Sequence, residues 1–240
     1  MQVGWFEQCL ADVRDEPDWL GPHELERMGQ LRIPKRRDDW RLGRWTAKNA
    51  IAAYLHLPRD PMALSAIEIR PANSGAPAAF LAGQPAPVSI SLSHRAGRAV
   101  SAVGPKEIAI GCDLEFVEPR SDAFLADYFH PQEQELIAQS NDARLRLVAL
   151  LWSAKESTLK ALHEGLRLDP RSIDVKLAAD SSGSGVARAS VADFSSSAAW
   201  QPLHSYYQGR EFHGWWRCAD EFVHTVIGIS PFSPPRVLNT

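Results

Sequence analysis

Gly111-Cys-Asp-Leu-Glu115 places two carboxylates two positions apart, in a stretch from Ile108 to Phe116 that reads as a strand. On a strand such residues share a face, so Asp113 and Glu115 project together while Cys112 and Leu114 point the other way. Adjacent carboxylates repel, and a cation between them relieves the repulsion. Oxygen-only donors suit magnesium, manganese or calcium better than zinc. A solvated strand edge with two acids on its wet face is the simpler explanation of an isolated Asp-x-Glu.

A second cluster changes that balance. Trp152-Ser-Ala-Lys-Glu-Ser-Thr-Leu-Lys160 lies in a helical stretch from about Ala143 to His163, with Gly165 as its expected stop. Trp152, Glu156 and Lys160 follow one another at one-turn intervals, and Lys155 adjoins them. A third carboxylate flanked by two lysines suits a place where a metal ion and phosphate oxygens meet, the lysines acting as point charges. Taken alone, an exposed helix with a Glu–Lys pair accounts for it equally simply. A third cluster is Ser91-Leu-Ser-His94, followed by Arg95 and Arg98. Ser93 and His94 stand at a strand end, where hydroxyl and imidazole suit an anion. A Ser–His nucleophilic pair lacks any G-x-S-x-G oxyanion loop. Finally, Arg37, Arg41, Arg44 and Lys48 form a basic stripe, which reads either as a solvated face or as an anion-facing edge.

The elements that must position these groups follow from patterning. Pro22-His-Glu-Leu-Glu-Arg opens a helix, with proline early and carboxylates in the first turn. From Lys35 to Leu57 the apolar residues Trp40, Ala47, Ile51, Tyr54 and Leu55 keep a helical period, ended by Pro58 and Pro61. Alternation then marks strands at Ala66–Arg70, Val88–Ser93 and Arg98–Val103, with a turn at Asn73–Pro77. After the strand that carries Asp113, Pro131 starts a helix through Ile137, and the long helix follows. Strand chemistry returns at Ile173–Leu177, Trp200–Tyr207, Glu211–Cys218 and Phe222–Ile229. A hairpin-like turn is expected at Ser181–Gly185, within a Ser/Ala-rich run at 179–199. Helix then strands, followed again by helix then strands, repeats one α+β unit by element order. The expected fold is therefore α+β, with two similar subdomains at 1–108 and 109–240 and a cleft between them.

Composition sets the outer limits. The 240 residues are 45% hydrophobic and 23% charged, a globular mix, which argues against disorder and fibrous architectures. With 26 basic and 29 acidic residues and a formal net charge of −3, no global basic excess points to nucleic acid. Three cysteines, Cys9, Cys112 and Cys218, are too few for a disulfide framework or zinc site, and fit a reducing, cytoplasmic setting. Neither a signal peptide nor a membrane helix is expected.

Taken together and in this order, the Gly111–Glu115 and Trp152–Lys160 motifs resemble the two signature motifs of the 4′-phosphopantetheinyl transferases, and Ser91–His94 resembles a third. The likeness spans about residues 35–165, and the length is similar to that of the larger, monomeric Sfp-type branch. Membership implies a pseudo-dimer of α+β halves with the active site between them. It implies transfer of the 4′-phosphopantetheine arm of coenzyme A to a serine hydroxyl of an apo acyl or peptidyl carrier protein, with release of adenosine 3′,5′-bisphosphate. By the resemblance, Asp113, Glu115 and Glu156 are the magnesium ligands, with manganese as the alternative ion. Lys155 and Lys160 contact phosphate, Ser93 and His94 hold the 3′-phosphate of coenzyme A, and Arg44 and Lys48 offer charge to the same substrate. The chain departs from the family at Gly75-Ala-Pro77, where Gly-Lys-Pro is frequent, and at Ser91, where asparagine is; Arg70 or Arg95 is the expected substitute for the lost charge.

Such a transfer breaks a pyrophosphate P–O bond, which needs charge neutralisation and alignment more than covalent help. Glu156 is the first candidate base for the carrier serine and Glu115 the second, with Lys155 or water protonating the leaving phosphate. Leu125, Tyr128 and Phe129 are candidate anchors for the carrier, or else core residues. Two rival readings remain open on the residues alone: a magnesium-dependent nucleotide phosphohydrolase, and a non-catalytic coenzyme A-binding protein.

Overall fold

In the computed structural model of the protein, residues 1–177 and 199–238 are described. The expected Ser181–Gly185 turn and most of the Ser/Ala-rich run lie outside them. The chain divides into two compact units, Gln2–Ile110 with Pro235–Thr240, and Met1 with Gly111–Pro234. Among the described residues no helix is long and apolar enough to cross a membrane.

The N-terminal unit holds β1 (Gly4–Cys9), α1 (Pro22–Gln30), α2 (Pro34–Tyr54), α3 (Pro61–Ser65), β2 (Ile67–Pro71), β3 (Pro77–Leu81), β4 (Gln84–Pro85), β5 (Val88–Arg95) and β6 (Arg98–Pro105). The C-terminal unit holds β7 (Ile110–Phe116), α4 (Asp122–Tyr128), α5 (Pro131–Gln139), α6 (Arg144–Ala161), β8 (Asp174–Leu177), β9 (Gln201–Tyr207), β10 (Arg210–Ala219) and β11 (Phe222–Gly228). A last strand, β12 (Arg236–Val237), returns to the N-terminal unit and pairs parallel with β1, Gly4 opposite Arg236. Patterning alone assigned that end of the chain to the second half, because a two-residue strand carries no period.

Each unit has its own apolar core. In the first, Ala47 and Ile51 of α2 are buried with Phe6, Ile67 and Val103, and Trp40, Tyr54 and Leu55 pack against them. In the second, Leu147, Leu150, Leu151 and Ala154 of α6 are buried with Leu203, Phe212, Val223 and Ile227. Sheet orders correspond. The N-terminal unit runs β12-β1-β6-β5, with β2-β3-β4 as a separate small sheet, and the C-terminal unit runs β7-β11-β10-β9-β8. In each, the strand before the helices neighbours the last strand of the following meander.

The repeat reaches individual residues, beyond the element order read from the sequence. Gly4, Trp45, Lys48 and His56 recur as Gly111, Trp152, Lys155 and His163, every pair 107 positions apart. In both units the lysine is fully buried and bonded to a buried glutamate in the first turn of the preceding helix. Lys48 meets Glu24 of α1, and Lys155 meets Glu133 of α5 at 2.8 Å. Both glutamates follow a proline by two residues and bond back to the residue before that proline, Gly21 at 3.2 Å and His130 at 3.2 Å. Carbonyls add to each ammonium's shell: Trp19 at 2.7 Å for Lys48, and Pro170 at 3.0 Å and Ile173 at 2.6 Å for Lys155. A buried cation bonded to a carboxylate and to backbone carbonyls ties two helices and a loop together.

Both long helices also end alike. His56 and His163 take positive φ, 56° and 59°, and the next amide donates five residues back, Leu57 to Ala52 at 2.8 Å and Glu164 to Leu159 at 3.1 Å. The stop expected at Gly165 therefore falls at His163, and Gly165 belongs to a separate short turn.

Candidate active site

α6 lies on the sheet of the C-terminal unit through a row of hydroxyls rather than through apolar side chains alone. Ser153 and Ser157 meet Thr225 Oγ1 at 2.8 and 2.7 Å, and Thr158 meets Ser205 Oγ at 2.8 Å, all buried. These short bonds set the helix's axial position over the strands, because a slip of one residue would leave buried hydroxyls unpaired. Gly111 lets the helix approach β7. A Cβ there would overlap the carbonyl oxygen of Ser157 and stand 2.7 Å from the Ala161 nitrogen.

That approach brings together groups far apart in sequence. Lys160 Nζ donates to Asp113 Oδ1 at 2.7 Å and to the Cys112 carbonyl at 3.1 Å. One turn earlier, Glu156 feels both. Its carboxyl is pushed above the usual range by burial first and by the negative charge of Asp113 second, with Lys160 opposing. Burial alone would lower the Lys160 ammonium, but Asp113, Cys112 and Glu156 outweigh it and hold the amine charged. Two turns before Lys160, Trp152 Nε1 donates to Glu115 Oε1 at 3.1 Å. As β7 advances from Asp113 to Glu115, α6 recedes from Lys160 to Trp152, and Glu156 sits midway along the helix between them.

Sequence reading missed Arg120. It donates to Glu115 Oε2 at 2.9 Å, reaches Glu118 at 3.2 Å and lies over the Phe124 ring at 5.1 Å. Its only sequence signal was nearness to Glu115. Asp113 and Glu115 are thus each held by a protein cation, and the oxygens of Asp113, Glu115 and Glu156 do not form a group with every ligand atom within 4.8 Å of the others. Among the described residues, two groups do: His204, Glu211 and His213, and His130, Glu133 and Asp174. The chemistry of the carboxylate set nonetheless fits a hard divalent cation. It is oxygen-only, and Asp113 raises the carboxyl of Glu156 by repulsion that such a cation would relieve.

Lys155 stands apart from this group. At ~100° per residue, Lys155 and Lys160 are about 140° apart around α6, so the helix cannot turn both to one ligand. Lys155 instead faces Glu133, its three protons taken by that carboxylate and two carbonyls. Lys48 is spent in the same way on Glu24. Arg44, mostly buried, lies 3.8 Å from Glu24 and over the Trp40 ring at 5.2 Å. Arg41, from the same stripe, donates to the carbonyls of Arg14 and Asp15 at 2.6 and 2.9 Å. Ser93 is half-buried and His94 exposed, at the end of β5 opposite Val100 and Ala99 of β6. His94 comes near α2 at Gly43, the residue before Arg44, where a Cβ would stand 3.9 Å from its ring. Arg70 is engaged by Glu68 and lies over Phe80 at 4.5 Å. Of the candidate anchors, Leu125 and Phe129 are buried in the core, while Tyr128 is half-buried against Trp152, ring centroids 4.7 Å apart.

The internal repeat sorts these residues. Where the C-terminal unit has Asp113, Glu115, Glu156 and Lys160, the N-terminal unit has Phe6, Gln8, Asn49 and Ala53. The shared Trp, Lys and His serve a fold that forms without the charged set. The charged set is specific to one unit, where Asp113 raises the carboxyl of Glu156 by repulsion.

Residues 109–223 match the family model described as the 4′-phosphopantetheinyl transferase superfamily. No curated protein matches the chain. Among solved structures, a similar chain is the holo-acyl-carrier-protein synthase of Thermotoga maritima, at 20% identity, over 54% of this chain and 74% of that one, with a TM-score of 0.34.

Proposed function

From the premise that this chain, through residues 109–223, is a member of the 4′-phosphopantetheinyl transferase superfamily, we propose that it transfers the phosphopantetheine arm of coenzyme A to a serine hydroxyl of an apo acyl or peptidyl carrier protein. The observation that carries this reading is the meeting of Lys160 with Asp113, 2.7 Å apart, beside the mutually repelling Glu156. Adenosine 3′,5′-bisphosphate is the other product.

The serine oxygen forms a bond to the phosphorus next to the pantetheine, and the bond from that phosphorus to the bridging pyrophosphate oxygen breaks. Glu156 takes the serine proton, as the carboxylate that stands beside both Asp113 and Lys160. Lys160, kept cationic by Asp113, offsets charge on the departing bisphosphate. Magnesium held by Asp113, Glu115 and Glu156 would neutralise the pyrophosphate, as hard oxygen donors suit it. Trp152 and Arg120 orient Glu115. Ser93, His94 and Arg44 are the proposed contacts to coenzyme A in the N-terminal unit. Lys155 and Lys48 act as positioning residues, through Glu133 and Glu24.

Incubation with coenzyme A, magnesium and a panel of apo carrier proteins, read by intact-protein mass spectrometry, tests this directly. A carrier that gains the phosphopantetheine mass supports transfer. Bisphosphate released at the same rate without any carrier marks a hydrolase, and coenzyme A bound without turnover across the panel marks a binding protein.

A further inference from the structure

β9 and β10 are joined by Gln208 and Gly209, both at positive φ, and their ladder runs unbroken up to that tight turn. In the ladder His204 stands directly opposite His213, and Tyr206 opposite Glu211. Ser205, between two of them, turns inward to Thr158 of α6. The alternation therefore puts His204, Tyr206, Glu211 and His213 on the outer face, where each is half-buried or exposed.

These side chains converge. The two imidazoles lie edge to face with centroids 5.4 Å apart. His204 Nδ1 is 2.9 Å from Glu211 Oε1, and that oxygen accepts a hydrogen bond from the Tyr206 hydroxyl at 2.9 Å. One nitrogen from each histidine and one oxygen of Glu211 all fall within 4.8 Å of one another. Lys176, opposite His204 on β8, is 3.7 Å from Asp174 and lies over the Tyr206 ring at 4.7 Å.

Two imidazoles and a carboxylate are a donor set for a borderline divalent ion. Magnesium, which prefers oxygen throughout, competes poorly for it. A paired hairpin also presets the ligands, so little chain entropy is lost on binding. The other such group, around His130, is less suited, because its Glu133 already neutralises buried Lys155.

We propose that His204, His213 and Glu211 form a zinc-type metal site on the β9–β10 hairpin, separate from the carboxylate set and independent of the transferase reading.

The test uses the full chain in excess magnesium, titrated with zinc chloride and followed by calorimetry. One zinc per chain is expected, with affinity falling at least about tenfold in His204→Gln or His213→Gln and further in the double variant, since even outer-shell losses cost that much. Asp113→Asn should retain the zinc. In the wild type, 15N-imidazole spectra should show His204 and His213 shifting on zinc addition while His56 and His163 stay, a readout that needs no variant to fold. Undiminished zinc affinity in the double variant, no stoichiometric zinc in the wild type, or shifts confined to other histidines would each overturn the assignment.

Discussion

Gly111 of β7 and Ser157 of α6 are packed so closely that any side chain at 111 would occupy the carbonyl oxygen of 157. At the matching place in the other unit, the atoms nearest a Cβ on Gly4 belong to side chains, Leu238 at 2.7 Å and Tyr54 at 3.1 Å. Backbone cannot step aside as a side-chain tip can. Gly111→Ala should therefore cost on the order of 3 kcal/mol in urea unfolding, and Gly4→Ala clearly less. Because the clash lifts α6 from β7, Gly111→Ala should also separate Lys160 from Asp113 and remove transfer. Equal costs at the two glycines would show that the close approach does not matter.

The two lysines of the Trp152–Lys160 motif should fail in opposite ways. Lys155→Met leaves Glu133 buried without its cation, which should cost about 3–5 kcal/mol. Most of that loss should return in the double variant Lys155→Met/Glu133→Met. Lys160→Met should stay folded by circular dichroism yet lose about a hundred- to a thousandfold in turnover. If Lys155→Met keeps full stability and loses only turnover, its positioning role is refuted.

Glu156 should make the metal-free protein's stability depend on pH. Its folded-state carboxyl lies above the ordinary 4.5, raised by burial first and then by Asp113. Such a group contributes stability that is fully present below the unfolded value and is lost as pH rises through the folded one. With chelator present, Glu156→Gln should therefore be more stable than the wild type at pH 7, and the difference should vanish in acid. Denaturant midpoints across that range decide it. A glutamine variant less stable at neutral pH would contradict the repulsion inferred at this site.

The three thiols should separate cleanly. Cys9 is exposed, whereas Cys112 and Cys218 are buried. One rapid equivalent is expected with a thiol reagent at neutral pH, and three after unfolding. Burial pushes the Cys218 thiol from the ordinary 9.0 up to about 11. Its contribution to stability is complete below pH 9.0 and is lost as pH rises to about 11, since only the unfolded chain ionises there. From ~1.4 kcal/mol per pKa unit this amounts to roughly 2–3 kcal/mol, absent in Cys218→Ala. Two fast thiols in the native protein would place one of the buried pair at the surface.

Some of the site was legible because strand and helix periods are local rules. Asp113 and Glu115 share a face of one strand, and Glu156 and Lys160 are one turn apart, whatever surrounds them. The partner of Lys155 was not legible by the same kind of reasoning, since adjacency in sequence is a 100° step on a helix and Glu133 lies in another element. From the sequence the repeat was read in element order alone, with no matching residue motif; Trp45-Thr-Ala-Lys48 and Trp152-Ser-Ala-Lys155 correct that, since their residue types look like ordinary core until both lysines are seen to hold a first-turn glutamate.

Periodicity by itself thus determined the α+β alternation, the four longer helices and most strands, and which charged residues travel together along one element, but not the short α3 and α4. Only the tertiary structure decided that the last strand joins the first unit, that Arg120 holds Glu115, that one lysine of the motif is buried while the other meets Asp113, and that two histidines face each other across a hairpin. The reason is one of range. Backbone geometry repeats every few residues and is written locally, whereas the pairing of charges across tens of residues depends on which surfaces can approach, down to the missing Cβ of Gly111.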